Sequence, residues 1–428
     1  MSLNISKISP LIRNGIVIVT VTIVVFVLLS YKDLLSKKEN FITKSETTEI
    51  MNSDSNQVTN IFKFHYDNIL VDTHNDFLWQ SFYRNAPFGR TDYSFDSDKV
   101  RFKEGGVDVQ VFAVWIPMNK VKTSYKFVVQ QINKLEQLAL TYSDDLELAN
   151  SYDDIIRIVD SGKLCGLIGV EGGTAIHSDL ENVSRLYSKG VRYIGLTWNN
   201  SNNIATSAKD EKVSGVSGGL TPFGKSVIKK MNELGIMVDV SHLGERAFWD
   251  LVETTNDPIL ASHSNAYSIN PHYRNLTDDQ IKAIAKSGGV IQVNFYDLFL
   301  NKNVTDRKYP DARDLYAEQL DSIYSESNGD LIKFNELRYE FLMNYRSGSV
   351  TTVDLLIDHI DHIVNLVGID YVGIGSDFDG GISTPFELYD VSTYPVLTKR
   401  LFDRGYTTTD IKKILGLNFL RVFKEVCG

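Results

Sequence analysis

The chain has 428 residues, of which 43% are hydrophobic and 23% are charged, so it can bury a sizeable core. Its formal net charge of -10 argues against nucleic-acid binding, which would require a basic surface. Its two cysteines, Cys165 and Cys427, are too few for a disulfide framework. Stability must therefore come from a packed core.

The N-terminal 37 residues contain an uncharged apolar run at 15–31, GIVIVTVTIVVFVLLSY. This run falls slightly short of the roughly 18 to 20 residues of a comfortable membrane span, so a cleaved secretory signal and a buried core helix compete with a membrane anchor. The residues after it are bulky and charged and offer no small-residue cleavage site. We therefore predict an uncleaved anchor.

A polar, aperiodic stretch at 38–60 follows the apolar run and is typical of a tether. The globular domain then occupies 61–428. Lysines on both sides of the apolar run give only a weak indication of a cytoplasmic N-terminus. The order of anchor, tether and domain predicts an exported domain on the periplasmic or extracellular side.

Short apolar runs bounded by turn residues recur through the domain and predict eight β-strands. They lie at 68–74, 107–116, 164–173, 191–198, 236–242, 258–264, 289–295 and 371–380. Helical patterns between them lie at 127–142, 179–190, 222–235 and 277–289. This alternation predicts right-handed βαβ units, and eight units favour a closed (β/α)8 barrel of the TIM type over an open sheet. The segment 298–350 is too long for a simple crossover, so we expect an inserted helical segment between strands seven and eight.

Polar residues stand at the carboxyl ends of most of these strands. They are His74 and Asp76 (strand one), Glu171 (three), His242 (five), His263 (six) and Asp377 (eight). In a barrel these ends meet at one mouth, where active sites form. Three histidines with two or three carboxylates suit divalent transition metals, and zinc above all. The sequence therefore predicts a metal site.

Five or six ligands exceed what one tetrahedral zinc ion uses while it keeps a position open, so two ions are expected. His74 and Asp76 would hold one ion, and His242 and His263 the other. Glu171, from a strand between them, would bridge the two. A water molecule shared by the ions would lose a proton near neutral pH and act as the nucleophile.

Asp377 is expected to have a different role, because it lies in a glycine-rich turn, GIGSDFDGG, that lets the backbone approach the metals closely. A carboxylate there could take a proton from the water and pass it to a leaving amine. Asp379 competes for this role, and we favour Asp377.

Five stretches in order, VDTHNDFLWQ, IGVEGG, VDVSHLGERAFWD, SHSNAYSINPHYRN and VGIGSDFDGG, closely resemble the membrane (renal) dipeptidase family of the amidohydrolase superfamily. The resemblance extends from about residue 68 to the C-terminal LGLNFLRVF. It implies a binuclear zinc dipeptidase whose ligands are His74, Asp76, Glu171, His242 and His263, with Asp377 transferring the proton. Dimers are common in that family, so a homodimer stays open.

The resemblance also implies a substrate-binding role for Arg274, which matches an arginine that holds the free carboxylate of the substrate. At the end of strand four, mammalian members carry a histidine that contacts the substrate, whereas this chain has Trp198. An indole donates one hydrogen bond but carries no positive charge. Stabilisation of the transition state would then depend on the metals or on nearby amides, namely Asn199, Asn200 or Asn203.

Two other functions compete with a dipeptidase. One is a related hydrolase of another small amide, lactone or N-acyl amino acid, and the other is a non-catalytic, membrane-tethered binding protein. The ligand set and Asp377 argue against the second. Of the remaining histidines, His359 and His362 precede strand eight, away from the mouth, and are expected to be structural. His177 is expected to be a loop residue.

Overall fold

The structure is a computed structural model that describes residues 55–216, 218–304 and 351–428, with isolated positions between 319 and 337. Residues Phe64–Gly428 form one compact unit. The predicted anchor, most of the tether and most of the predicted insertion lie outside the described residues. None of the helices in the described ranges has both the length and the apolar character needed to cross a membrane.

The described chain contains nine strands, all joined in parallel pairs. They are β1 Val71–Asn75, β2 Val109–Trp115, β3 Leu146–Leu148, β4 Leu164–Glu171, β5 Val191–Gly195, β6 Met237–Asp239, β7 Leu260–Ala261, β8 Val290–Val293 and β9 Val372–Ile374. The order of neighbouring strands is β1-β2-β4-β5-β6-β7-β8-β9, and β3 pairs only with β4. These strands confirm the predicted barrel. The predicted runs extend beyond several strands because their polar ends are turns, and β3 was not predicted.

Hydrogen bonds between the residues that follow β9 and those at the end of β1 join the first and last strands at the mouth of the barrel. The backbone N–H of Asp377 donates to the carbonyl oxygen of His74 at 2.9 Å. The N–H of Asp76 donates to the carbonyl oxygen of Phe378, also at 2.9 Å. The first and last predicted site residues are thus held side by side by the backbone itself.

Helices lie between the strands. They are α1 Ser55–Tyr66, α2 Phe77–Tyr83, α3 Lys99–Glu104, α4 Ser124–Thr141, α5 Tyr152–Asp160, α6 Glu181–Ser188, α7 Ala208–Val213, α8 Pro222–Leu234, α9 Glu245–Val252, α10 Asp278–Lys286, α11 Asp297–Leu300, α12 Val353–Val367, α13 Tyr394–Asp403, α14 Thr408–Lys412 and α15 Asn418–Cys427. Capping residues in the sequence account for both ends of α8. The Thr221 hydroxyl accepts from the N–H of Gly224 at the start of α8, and Gly235 ends that helix in the left-handed conformation.

The barrel interior combines apolar strands with a few large buried polar side chains. Every residue of β4 is buried. A side chain on Gly169 would overlap the ring of Tyr193, with its Cβ only 2.0 Å from the ring. Glycine at 169 therefore makes room for the buried Tyr193 phenol, which reaches the site described below.

Candidate metal centre

The structure brings five predicted ligands and Asp377 together at the carboxyl end of the barrel. His74 lies in β1, one residue before its end, and Glu171 ends β4, while the others lie in the turns that follow β1, β6, β7 and β9. Five of the six residues are buried, and only Asp377 is partly exposed. Two groups of three residues each offer ligand atoms within 4.8 Å of one another. The first group is His74, Glu171 and His263, and the second is His74, Asp76 and Asp377.

Nε2 of His74 faces three carboxylates. It lies 3.8 Å from Oδ2 of Asp76. Oε1 of Glu171 and Oδ1 of Asp377 are each 3.9 Å from the same nitrogen. No hydrogen-bond partner reaches this buried nitrogen within the described part of the chain. A buried polar atom of this kind indicates a missing ligand or ion.

Glu171 occupies the middle of the cluster. Its Oε1 lies 2.9 Å from Nε2 of His242 and 3.5 Å from Nε2 of His263. The same oxygen lies 3.9 Å from Nε2 of His74. One carboxylate oxygen therefore faces all three imidazoles, and Glu171 lies at the centre of the cluster.

Hydrogen bonds behind the imidazoles fix which ring nitrogen carries the proton. The Tyr193 hydroxyl donates to the carbonyl oxygen of Thr73, so it accepts from Nδ1 of His74 at 3.1 Å. Nδ1 of His242 lies 3.1 Å from Oδ1 of Asn199, which can only accept. Both rings thus carry the proton on Nδ1, and Nε2 presents a lone pair to the cluster.

His263 also carries its proton on Nδ1. The Ser262 hydroxyl donates its proton to Oδ2 of Asp239 at 2.7 Å. Nδ1 of His263, 2.8 Å from the Ser262 oxygen, must then be the donor in that bond. Such partners behind a ligand histidine orient the ring and set its tautomer.

The donor set fits metal ions. With both protons on Nδ1, Nε2 of His242 and Nε2 of His263 face each other as two acceptors only 3.1 Å apart. The nearest carboxylate oxygen, Oε1 of Glu171, is a further acceptor. Lone pairs crowded in this way repel one another unless a cation lies among them. The arrangement therefore meets the requirements of a metal site.

Burial keeps the imidazoles neutral. It lowers the pKa of His74 to about 3, with a further contribution from the positive charge of Arg274. Burial is also the main cause that lowers the pKa of His242 and of His263 well below the usual value. Neutral imidazole is the form that binds metals. Burial and the neighbouring carboxylates raise the pKa of Glu171, a cost that a bound cation would offset.

Two site residues have left-handed backbone conformations that are unusual for residues other than glycine. His242 has φ 69° and Asp377 has φ 68°. Both turns are tied by hydrogen bonds, since the His242 carbonyl oxygen accepts from the N–H of Ala208 and the Asp377 carbonyl oxygen accepts from the N–H of Gly380. Strained backbone held in this way is common at functional sites.

Asn294 was not predicted, and it orients Asp377. Its Nδ2 donates to Oδ2 of Asp377 at 2.9 Å, while its Oδ1 accepts from the N–H of Tyr296. The Asp379 carboxylate instead accepts from the N–H of Asp96 at 2.9 Å. The geometry therefore favours Asp377 over Asp379 as the carboxylate of the site. Asn294 follows β8, so a search for amides at strand ends could have found it.

Two buried carboxylates below the ligands join neighbouring strand ends. Asp239 accepts from the N–H groups of Ser241 and Ser262 and from the Ser262 hydroxyl. Asp72 accepts from the N–H groups of His74 and Ser376 and from the Ser376 hydroxyl. We call these two sets the Asp239 clamp and the Asp72 clamp. The Asp239 clamp fixes Ser262, which precedes His263, and the Asp72 clamp fixes Ser376, which precedes Asp377.

Arg274 lies against the cluster without a direct ion pair to a carboxylate of the described residues. Burial lowers the pKa of its guanidinium, although the charges of Asp377, Glu171 and Asp239 act to raise it. The residue is 4% exposed, and its guanidinium donates to the carbonyl oxygen of His263 at 3.3 Å. Among the described residues no carboxylate lies within 4 Å of it, and its Nε has no hydrogen-bond partner. A buried guanidinium in this state can receive an anion.

Trp198 is half-buried beside the cluster, with its ring centroid 6.3 Å from that of His242. Of the three nearby amides, only Asn199 contacts a ligand, through the bond to His242. The Asn200 amide donates to the carbonyl oxygen of Ser201, and the Asn203 amide donates to that of His177. These two contacts lie within loops and do not reach the metal cluster.

The other histidines have structural contacts. His359 accepts from the N–H of Ala266 through Nδ1, and its Nε2 donates to the carbonyl oxygen of Leu300. His362 contacts the Asp278 carboxylate at 2.7 Å. His177 lies in a loop and contacts the Ser124 hydroxyl, at 3.0 Å.

A barrel with such a cluster at its mouth is typical of metal-dependent hydrolases, and comparison with known proteins narrows this class. Residues 58–427 match the model of the membrane dipeptidase family, peptidase family M19. The chain is 33% identical to an uncharacterized dipeptidase of Schizosaccharomyces pombe over 83% of this chain and 80% of that protein. It is 29% identical to the dipeptidase tcpJ of Claviceps purpurea over 83% and 76% of the two chains.

Solved structures show the same fold. The dipeptidase AC, a metallopeptidase of family M19, superposes with a TM-score of 0.71 at 24% identity, over 84% of this chain and 99% of that one. A metallopeptidase from Rhodobacter sphaeroides, liganded with a phosphinate mimic of the dipeptide L-Ala-D-Ala, gives 0.70 at 23% identity, over 84% and 100%. The chain therefore belongs to the membrane dipeptidase family, M19, and is a metal-dependent dipeptide hydrolase.

Proposed function

We propose that this enzyme cleaves the peptide bond of free dipeptides with two zinc ions bound in the mouth of the barrel. Three imidazoles with carboxylates are a donor set that suits zinc. His74 and Asp76 would hold one ion, His242 and His263 the other, and Glu171 would bridge them. When bound, the ions would lower the pKa of a water molecule and polarise the scissile carbonyl group.

Asp377 is the residue we propose for proton transfer. Its Oδ1 lies 3.9 Å from Nε2 of His74, and its Oδ2 is held by Asn294. This leaves Oδ1 facing the cluster, where it can take a proton from the attacking water and donate it to the leaving amine. The hydrogen bond from Asn294 keeps the carboxylate in that orientation.

The observation that carries the proposed substrate class is the buried guanidinium of Arg274 next to the ligand cluster. A dipeptide has a free carboxylate one residue from its only peptide bond. If Arg274 binds that carboxylate, the peptide bond lies over the ligands, whereas an internal bond of a protein has no such group nearby. Trp198, whose ring lies next to that of His242, would contact the substrate as part of the pocket wall.

The test uses purified, zinc-loaded protein, a panel of dipeptides and the same dipeptides with an amidated C-terminus. Hydrolysis should stop on treatment with a chelator and return with zinc. Arg274→Ala should lower kcat/KM for free dipeptides by about 100-fold or more. Arg274→Ala should change kcat/KM for the amidated dipeptides far less. Arg274→Lys keeps the positive charge but lacks the planar guanidinium, so its kcat/KM for free dipeptides should lie between those of the unaltered enzyme and Arg274→Ala.

Two results would contradict this proposal. If metal-replete protein cleaves a lactone or an N-acyl amino acid but no dipeptide, the enzyme is the related hydrolase. If it cleaves none of these compounds, a binding role is supported instead.

We also propose that residues 15–31 anchor the enzyme in a membrane, with the catalytic domain exported. The support is the uncharged apolar run and the polar tether after it. Fractionation of cells that express the full chain should place it in the membrane pellet, with the domain accessible to added protease. A deletion of residues 1–37 that stays in the pellet would contradict the anchor.

A further inference from the structure

Three of the four tryptophans of this chain lie side by side at the mouth of the barrel. Trp79 is in α2, Trp115 ends β2 and Trp198 follows β5. The ring centroids of Trp79 and Trp115 are 4.7 Å apart, and those of Trp115 and Trp198 are 5.0 Å apart. All three are half-buried. We call this group the tryptophan wall.

The tryptophan wall adjoins the ligand cluster along its length. Trp115 is the register partner of Glu171 across β2 and β4. Trp79 is three residues after Asp76, and the Trp198 ring lies next to that of His242. Tryptophan surface that stays partly exposed beside a polar cluster gains free energy when an apolar group covers it.

Trp115, the central member of the tryptophan wall, lies across the barrel from the strand that leads to Arg274. In the ring of eight strands, β2 is second and β7 is sixth, so they are half a turn apart. Trp115 ends β2, and Arg274 contacts the His263 carbonyl oxygen just after β7. A dipeptide whose carboxylate binds Arg274 therefore points its N-terminal residue towards the wall. This step rests on the proposed function.

We propose that the tryptophan wall binds the side chain of the N-terminal residue and makes the enzyme selective for dipeptides that begin with an aromatic or large aliphatic residue. The ring planes of Trp79 and Trp115 meet at 85°, and those of Trp115 and Trp198 at 66°. A corner of this kind accepts a flat ring that stacks on one indole and presents its edge to the next. A glycine at the N-terminus of the substrate leaves this surface uncovered.

The experiment compares kcat/KM of the zinc-loaded enzyme for phenylalanyl-alanine, leucyl-alanine, lysyl-alanine and glycyl-alanine. Their C-terminal residue is the same, so differences report on the N-terminal side chain. We expect phenylalanyl-alanine to exceed glycyl-alanine by about 100-fold, a factor of the order that covering one whole apolar side chain contributes. Equal values for these two substrates would overturn the inference. A clear preference for lysyl-alanine would also overturn it, because it would show a cation site.

Trp115→Ala and Trp198→Ala test the wall itself. Each should reduce the ratio of kcat/KM between phenylalanyl-alanine and glycyl-alanine by about tenfold. The ratio separates this role from a structural one, because a general loss of folded enzyme lowers both values together. Trp249→Ala, at the fourth tryptophan in α9, should leave the ratio unchanged. A ratio unaltered by both wall variants would contradict the assignment.

The outcome is distinguishable from failure of the proposed function. If kcat/KM is the same whatever the N-terminal residue of the dipeptide, only the binding role of the tryptophan wall is refuted. If it cleaves no dipeptide at all, the proposed function fails, and the selectivity inferred here fails with it. The measurements on the unaltered enzyme decide between these cases even if a variant does not fold.

Discussion

Asp377 and Asp379 are separated by one residue, yet their carboxylates face different partners. Asp377 Oδ1 lies near His74 Nε2, whereas Asp379 Oδ1 accepts from the N–H of Asp96 and its own N–H donates back to the Asp96 carboxylate. The left-handed turns at both residues, with φ of 68° and 61°, separate the two side chains. The role of a residue in this turn is thus set by backbone conformation as much as by residue type.

Because the two carboxylates face different partners, their removal should have different effects on catalysis. Asp377→Asn keeps the size of the side chain but cannot transfer a proton, so kcat for dipeptide hydrolysis should fall by about 100- to 10,000-fold. Zinc content and thermal unfolding should change little. In the matched variant Asp379→Asn, the amide oxygen still accepts from Asp96, and kcat should stay within a few-fold. An equal loss in both variants would show that the turn, rather than the Asp377 carboxylate, is what matters.

The two clamps explain how short strands can place the candidate ligands accurately. β6 has three residues and β7 has two, so few ladder hydrogen bonds fix their ends. The Asp239 clamp adds one hydrogen bond within the turn that follows β6 and two from Asp239 to Ser262, which follows β7. The Ser262 hydroxyl then accepts from Nδ1 of His263. A buried carboxylate thereby links the fold to the orientation of a ligand.

Ser262→Ala removes the acceptor behind His263 and should lower zinc affinity by about 10- to 100-fold. Competition for zinc with a chelating dye measures this without any substrate. Ser264→Ala is the matched control, because Ser264 lies on the other side of His263 and its hydroxyl contacts the Ser241 hydroxyl instead. Equal zinc affinity for the two variants would contradict a role for Ser262 in orienting the ligand.

The strand series and the cluster of polar residues at the strand ends could be predicted from the sequence because both depend on local pattern, whereas Arg274 and Trp198 came from the family resemblance. Apolar runs gave the strands, and in a parallel barrel every strand end reaches the same mouth. The clamps could not be read in this way, since Asp72 and Asp239 look like ordinary polar interruptions of apolar runs. Their partners, Ser376 and Ser262, are known only once strand neighbours and register are fixed. The ring contacts of Trp79 and Trp115 were missed for the same reason.

For the molecule as a whole, His359 joins three parts of the barrel. It lies in α12, its Nδ1 accepts from the N–H of Ala266 after β7, and its Nε2 donates to the carbonyl oxygen of Leu300 in α11. Only the neutral imidazole can make both bonds. Burial lowers the pKa of His359 to about 4, so protonation of this residue opposes folding.

This depressed pKa predicts a pH dependence of stability. The contribution of neutral His359 is fully present above the unfolded pKa near 6.5 and is lost as the pH falls towards 4. The stability advantage of the unaltered protein over His359→Gln should therefore shrink by up to about 3 kcal/mol between pH 7 and pH 4. Denaturant unfolding of both proteins across this range measures it. The comparison cancels the contributions of other groups, and a constant difference would contradict the assignment.

Anomalous diffraction from crystals of the zinc-loaded enzyme, recorded at the zinc edge, is the decisive test of the proposed two-metal site. If Glu171 bridges two ions, two anomalous peaks should lie on either side of its carboxylate, one next to His74 and Asp76 and the other next to Nε2 of His242 and His263. A single peak remote from Glu171, or two peaks that leave these imidazoles without a metal, would contradict it.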